Sequence, residues 1–153
     1  MLNRLLATRD DLLPFIARVA VGGVLLLHGV QKLLGWLGGK GWSDTMHFFT
    51  EWGFPAFLVV LLIITESIGM LSLVAGFLGR VWAASGIVIM VVAVLKAHSA
   101  HFFMNWYAER RGEGFEYHIL AVALFLIVLI AGSGKFSIDH RLSERLSEAR
   151  YAM

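Results

Sequence analysis

Four long apolar stretches, at about 15–35, 56–77, 81–101 and 116–133, occupy more than half of this 153-residue chain. Each approaches or exceeds the ~20 residues that an α-helix needs to cross a hydrocarbon layer ~30 Å thick. Such a layer offers no water to unpaired backbone groups, so only helices and closed barrels can span it. Barrel strands are short and alternate in polarity, whereas these stretches are continuously apolar, and helices are expected. Composition agrees: 58% of residues are hydrophobic and 16% charged, too apolar a balance for a soluble core of this size. The expected fold is all-α, an integral membrane four-helix bundle filling residues 15–138. Segment 1–14 precedes it and a charged tail, 139–153, follows.

The opening "MLNRLLATRDDLLPF" mixes charges of both signs and shows no signal-peptide cleavage pattern, so the first span is expected to remain attached. With four spans both termini share one side. That side carries Arg4, Arg9, Arg80, Lys135, Arg141, Arg145 and Arg150, against chiefly Lys40, Arg110 and Arg111 on the other. The positive-inside rule then places both termini in the cytoplasm. Trp36, Trp42, Trp52, Trp106, Tyr107 and Tyr117 would mark the outer boundary and Trp82 the inner one.

Between the first two spans, "GWSDTMHFFTEWGFP" predicts a short interfacial helix with Ser43 as N-cap, Gly53 as C-terminal cap and Pro55 beyond it. "MNWYAERRGEGFE" predicts an exposed loop before the fourth span. Small residues at Gly22, Gly29, Ser72, Gly76, Ala93 and Ala97 suit close helix packing. The chain has no cysteine, which excludes disulfides and thiolate metal sites of its own. Its pI is near 9.2, yet the net charge is only +2 and the basic residues flank apolar spans, so no nucleic acid partner is implied. The lipid bilayer is the expected surrounding.

The informative residue is Glu66, alone in the apolar run "VLLIITESIGML". A charge at the centre of a spanning helix costs about 2.5–3.5 kcal/mol even on insertion scales, so Glu66 must find a cation or stay protonated. With the spans aligned in one bilayer, His28, Lys32, Lys96, His98 and His118 all fall in the same half as Glu66, about 4–10 Å further out. Lys32 or Lys96 is the expected partner, with His28, one turn from Lys32, as a neighbour. A buried pair of this kind either serves function or only fixes helix register.

His98 and His101 are three apart and would share a helical face, as two metal or haem ligands do, but no motif completes a ligand set and interfacial solvation is the simpler reading. Glu116 and His118 open the fourth span, where they either cap the same polar pocket or are simply solvated at a helix start. Arg18, near the inner end of the first span, is expected to reach lipid headgroups.

Taken in order, "RVAVGGVLLLHGVQKLLGW", "TESIGMLSLVAGFLGRVWA", "GFEYHILAVAL" and "GSGKFSID" resemble the DoxX family of small four-helix bacterial membrane proteins, over residues 15 to 140. The resemblance carries over to Arg18, His28, Gly29, Lys32, Glu66, Gly76, Arg80, Glu116 and Asp139. It implies a membrane component associated with redox or oxidative-stress complexes, some relatives being membrane subunits of thiosulfate:quinone oxidoreductases. Some DoxX-like redox proteins carry cysteines, and this chain does not.

The expectation is therefore a quinone-linked redox component with a polar pocket in the outer half of the bundle. His28, Lys32 and Glu66 would act on the quinone, and Lys96, His98, Glu116 and His118 would help to bind it. A soluble partner would supply the other redox centre, and the bundle could form a homo-oligomer. Two other classes remain open: transport of a proton or small molecule through the same cluster, and a non-enzymatic membrane scaffold.

Overall fold

In the computed structural model, which describes residues 5–109 and 111–151, the last three by backbone alone, the chain is helical throughout. Arg4 and Arg110, two of the charges counted above, lie outside the described residues. Helix α1 covers Leu12–Leu34, α2 Gly41–Glu51, α3 Ala56–Ala75, α4 Gly79–His98, α5 Glu116–Ala131 and α6 Ile138–Tyr151. Among them α1, α3 and α4 are long and apolar enough to cross a membrane. α5 is a shorter apolar helix of 16 residues, about 24 Å at 1.5 Å per residue.

The four apolar helices form a closed ring in which α1 packs on α3, α3 on α4, α4 on α5, and α5 back on α1. Every neighbour is antiparallel, the up-down-up-down arrangement that short connections favour. The core is built from Val21, Leu25, Met70, Leu73, Ala83, Met90, Phe125 and Val128. Outside it, apolar side chains such as Ile16, Leu27, Leu61, Leu71, Val88 and Leu120 are left exposed around the ring. A belt of that extent suits lipid rather than water.

Glycine sets the closest approaches. A methyl group at Gly29 of α1 would overlap the backbone of Glu66 and Ser67 in α3, and one at Gly86 of α4 would overlap the Phe125 ring of α5. Small residues let backbones meet where apolar burial gives no drive for association. One consequence is that α1 touches α3 where Glu66 stands.

Each end of the ring is held differently. At the end shared by the chain termini, Arg18 is only 1% exposed and does not reach outward. Its guanidinium donates to the carbonyls of Ser133 (2.8 Å), Lys135 (3.2 Å), Phe136 (2.8 Å) and Leu73 (3.4 Å), and to that of Val74. The expected headgroup contact gives way because the turn after α5, with Gly132 and Gly134 in left-handed or otherwise positive-φ conformations, aims those carbonyls inward. Asp139, also 1% exposed, accepts from the backbone N–H groups of Leu78 (2.8 Å) and Gly79 (3.0 Å) and from the Ser133 hydroxyl (2.6 Å). It thereby satisfies the first donors of α4. Arg80 donates to Ala7 O (3.2 Å) and to Leu129 O, tying the N-terminal segment to α5.

At the opposite end, called here the loop end, Trp36, Trp42, Trp52, Trp106 and Tyr107 are exposed, as expected of an interfacial belt. Tyr117 and Trp82 differ: the Tyr117 hydroxyl and the Trp82 indole N–H are both buried, and Trp82 lies against Gly69 inside the bundle. α2 ends as the sequence predicts, with Gly53 at φ 85° and Phe54 N–H bonded to Phe49 O. Its start is earlier than predicted. Lys40, not Ser43, is the N-cap, because the glycine turn from Gly35 to Gly41 folds Gly39 onto the Gln31 backbone and lets the helix begin three residues sooner.

Candidate functional site

Glu66 is the eleventh residue of α3, about 15 Å along a helix about 30 Å long, and so stands at mid-bundle. It is 5% exposed. Its carboxylate forms an ion pair with the Lys32 ammonium of α1. The apposition is local in origin: Gly29 brings α1 onto the α3 backbone at Glu66, and Lys32, one turn beyond, arches back over it. Helical side chains lean toward their own N-terminus, so in antiparallel α1 and α3 the two lean toward each other. Of the two candidate cations, Lys32 is therefore the partner. Lys96 is exposed on α4.

The backbone around Glu66 is itself unusual. Residues Thr65–Gly69 form a π-helical turn within α3, and Ser67 Oγ donates to Ile63 O at 2.5 Å. A second π-helical turn, Val94–His98, closes α4. Single π-turns inside α-helices insert one residue and swing the side chains after it around the axis, and they concentrate at functional sites. Here they fall at the buried carboxylate and at one of the candidate histidines.

His28, one turn before Lys32, interacts electrostatically with both Lys32 and Glu66. It is exposed on the apolar flank beside Leu27, and the Lys32 side chain is 22% exposed. The ion pair is thus buried from the inside and open along one edge, on the side of the bundle that faces lipid.

His98 and His118 form a second group. Their rings stack with centroids 4.7 Å apart and a tilt of 38°. Both Nδ1 atoms are buried without a hydrogen-bond partner, and His118 as a whole is 7% exposed. Tyr117 stands between this group and the first: its ring lies 5.6 Å from that of His118, its hydroxyl is buried and unpartnered, and its side chain is close enough to Glu66 to feel that charge. Sequence reasoning placed Tyr117 only in an interfacial belt. The signal that could have found it is its position inside "FEYHIL", flanked by Glu116 and His118.

Two other residues stand apart from these groups. Glu116 faces the loop, accepting from Met104 N–H (3.0 Å) and from the Trp106 indole (3.2 Å), and so fastens the α4–α5 connection. His101 does not share a helical face with His98, because α4 ends at His98 and the chain turns away; its carbonyl accepts from Phe115 N–H at 3.2 Å. Among the described residues no three His, Asp or Glu side chains gather as metal ligands. An open cleft of about 370 Å³ does exist, but it lies at the terminal end, lined by Asp10, Lys135, Ser137, His140 and Glu144.

The chain is 26% identical over 137 residues to the inner membrane protein YqjF of Escherichia coli (strain K12), covering 89% of this chain and 96% of that one. No solved structure matches significantly. That relative and the apolar helices together support a bacterial inner-membrane protein. The DoxX family matches residues 13–99, more than half of the chain and the part that contains Arg18, His28, Lys32 and Glu66, and the protein belongs to that family of membrane proteins.

Proposed function

We propose that the protein is a quinone-linked redox component whose working centre is the Lys32–Glu66 pair. The observation that carries this reading is a buried carboxylate–ammonium pair, at mid-bundle, open along its lipid-facing edge beside His28. A ligand that arrives through lipid and carries hydrogen-bond acceptors on an apolar body meets those requirements. The donor set fits: the Lys32 ammonium offers a proton and a positive charge to an acceptor oxygen, His28 is a neighbour able to donate or accept, and Tyr117 has an unpartnered hydroxyl.

A quinone supplies two-electron chemistry that must be matched by two protons. The chain's own part is to bind, orient and exchange those protons. Glu66 accepts or returns a proton while Lys32 holds its charge in place, and His28 orients the exposed side of the site. Having no cysteine, the chain contributes no thiol chemistry, and a soluble partner protein supplies the second redox centre. The terminal end faces the cytoplasm in this reading, on the strength of Arg9, Arg80, Lys135, Arg141 and Arg145.

The test is purification of wild type and Glu66→Gln in mild detergent, with mass analysis of quinone in the extracted lipid. Quinone retained by wild type and lost from an equally folded variant supports the reading. Equal retention by both, or none in wild type, contradicts it.

A further inference from the structure

A proton-exchanging carboxylate at mid-bundle needs a route to water, and the lipid-facing edge beside His28 supplies none. We propose that Tyr117, His118 and His98 form, with bridging water, a proton path from the loop end of the bundle to the Lys32–Glu66 pair. This inference rests on the reading of Glu66 as a proton-exchanging group.

Two links of the line are ring contacts: the Tyr117 ring adjoins that of His118 at 5.6 Å, and His118 stacks on His98 at 4.7 Å. Tyr117 also lies close enough to Glu66 to feel its charge. His98 is the last residue of α4 and is half-buried, followed at once by the exposed Ser99 and Ala100. The line therefore begins in the bundle and ends where the helix emerges.

Satisfaction of polar groups gives a second, independent argument. The Tyr117 hydroxyl and both histidine Nδ1 atoms are three of the four buried side-chain polar atoms with no partner among the described residues, the fourth being the Trp82 indole N–H. Three such groups in one short line are accounted for if water occupies the spaces between them, since buried water characteristically bridges polar atoms that would otherwise go unpaired. The π-helical turns add a third. They stand at the two ends of the line, at Glu66 and at His98, where each re-aims the side chain it carries.

The residue types suit the task. An imidazole takes a proton on one nitrogen and releases one from the other, and a phenol does so on a single oxygen. One proton from water at the loop end reaches His98, the ring proton of His98 passes to His118, that of His118 to the Tyr117 oxygen, and the original phenolic proton to the Glu66 carboxylate. One proton has left bulk water, one has arrived at Glu66, and each relay is restored by reorientation. No oxidant or reductant enters.

The experiment uses the full chain in lipid nanodiscs with ¹⁵N-labelled lysine. It follows exchange of the Lys32 ammonium protons with D₂O. Tyr117→Phe and His98→Phe are expected to slow that exchange roughly a hundredfold, the lower end of what a positioned proton-transfer group contributes. His101→Phe should leave it unchanged, and added imidazole should restore it in His98→Ala. Tyr117→Phe, which preserves the ring, guards against loss of fold. Wild-type exchange in Tyr117→Phe and His98→Phe, or equal slowing by His101→Phe, would overturn the path. The readout needs no bound quinone, so a protein that retains no quinone but slows in these variants loses the redox reading and keeps the path.

Discussion

Arg18 shows how a single side chain can organise one end of a membrane bundle. Its planar fork meets carbonyls from the end of α3 and from the turn after α5, and Asp139 lies near enough to act on it electrostatically. Removing it strands several buried carbonyl acceptors at once. Arg18→Met should cost about 3–5 kcal/mol, measured by unfolding in detergent, and Arg18→Lys should recover little, because an ammonium cannot reproduce the fork. A loss below about 1 kcal/mol would show the lock to be unimportant. The role of Arg18 is not legible in the sequence. Depth along the helix is legible from residue spacing, but the inward-facing carbonyls of residues 133 to 136 depend on a turn that only the fold reveals. The Glu66 partner was half legible for the same reason: spacing gives depth, and Lys32 and Lys96 lie at similar depths, while the choice depends on which way each helix is turned.

Among the elements, α1 and α3 make the contact on which the site depends. Gly29→Ala places a methyl on the backbone of Glu66 and Ser67, so α1 must shift away. Overpacking of this kind typically costs about 1–3 kcal/mol. The variant should unfold earlier and lose part of the Lys32–Glu66 coupling, whereas Gly23→Ala, where an added methyl meets nothing, should behave as wild type. Equal effects of the two substitutions would remove close approach as the reason for the glycine. Where two of the helices begin was readable: α5 begins at Glu116, as the apolar pattern indicates, and α3 begins at Ala56, whereas α4 stops at His98, short of the expected 101. The π-helical turns were not, because one inserted residue changes the azimuth of the side chains beyond it without altering the hydrophobicity of the run. Those turns decide where Glu66 and His98 point, and so the least legible part of the chain is the part nearest the candidate site.

For the molecule as a whole, the asymmetry of its two ends gives a topology. Basic residues cluster with the termini and aromatic residues at the loop end, which predicts cytoplasmic termini. The absence of cysteine makes this simple to examine: Ser147→Cys should react with membrane-impermeant maleimide only after the cells are opened, and Glu109→Cys in intact spheroplasts. The reverse pattern would invert the topology. Ring closure of α1, α3, α4 and α5 explains why a chain this short can bury an ion pair at its centre, and it makes the pair the point at which fold and proposed function meet. The most direct test is a double-mutant cycle for stability with Lys32→Met, Glu66→Leu and the two combined, run beside the same cycle with Lys96→Met. A coupling energy above about 1 kcal/mol for Lys32 with Glu66, and additivity within about 0.5 kcal/mol for Lys96 with Glu66, is the predicted result. Additive losses for Lys32 and Glu66 would mean that the two do not meet in the bundle, and the account of the site would fall with them.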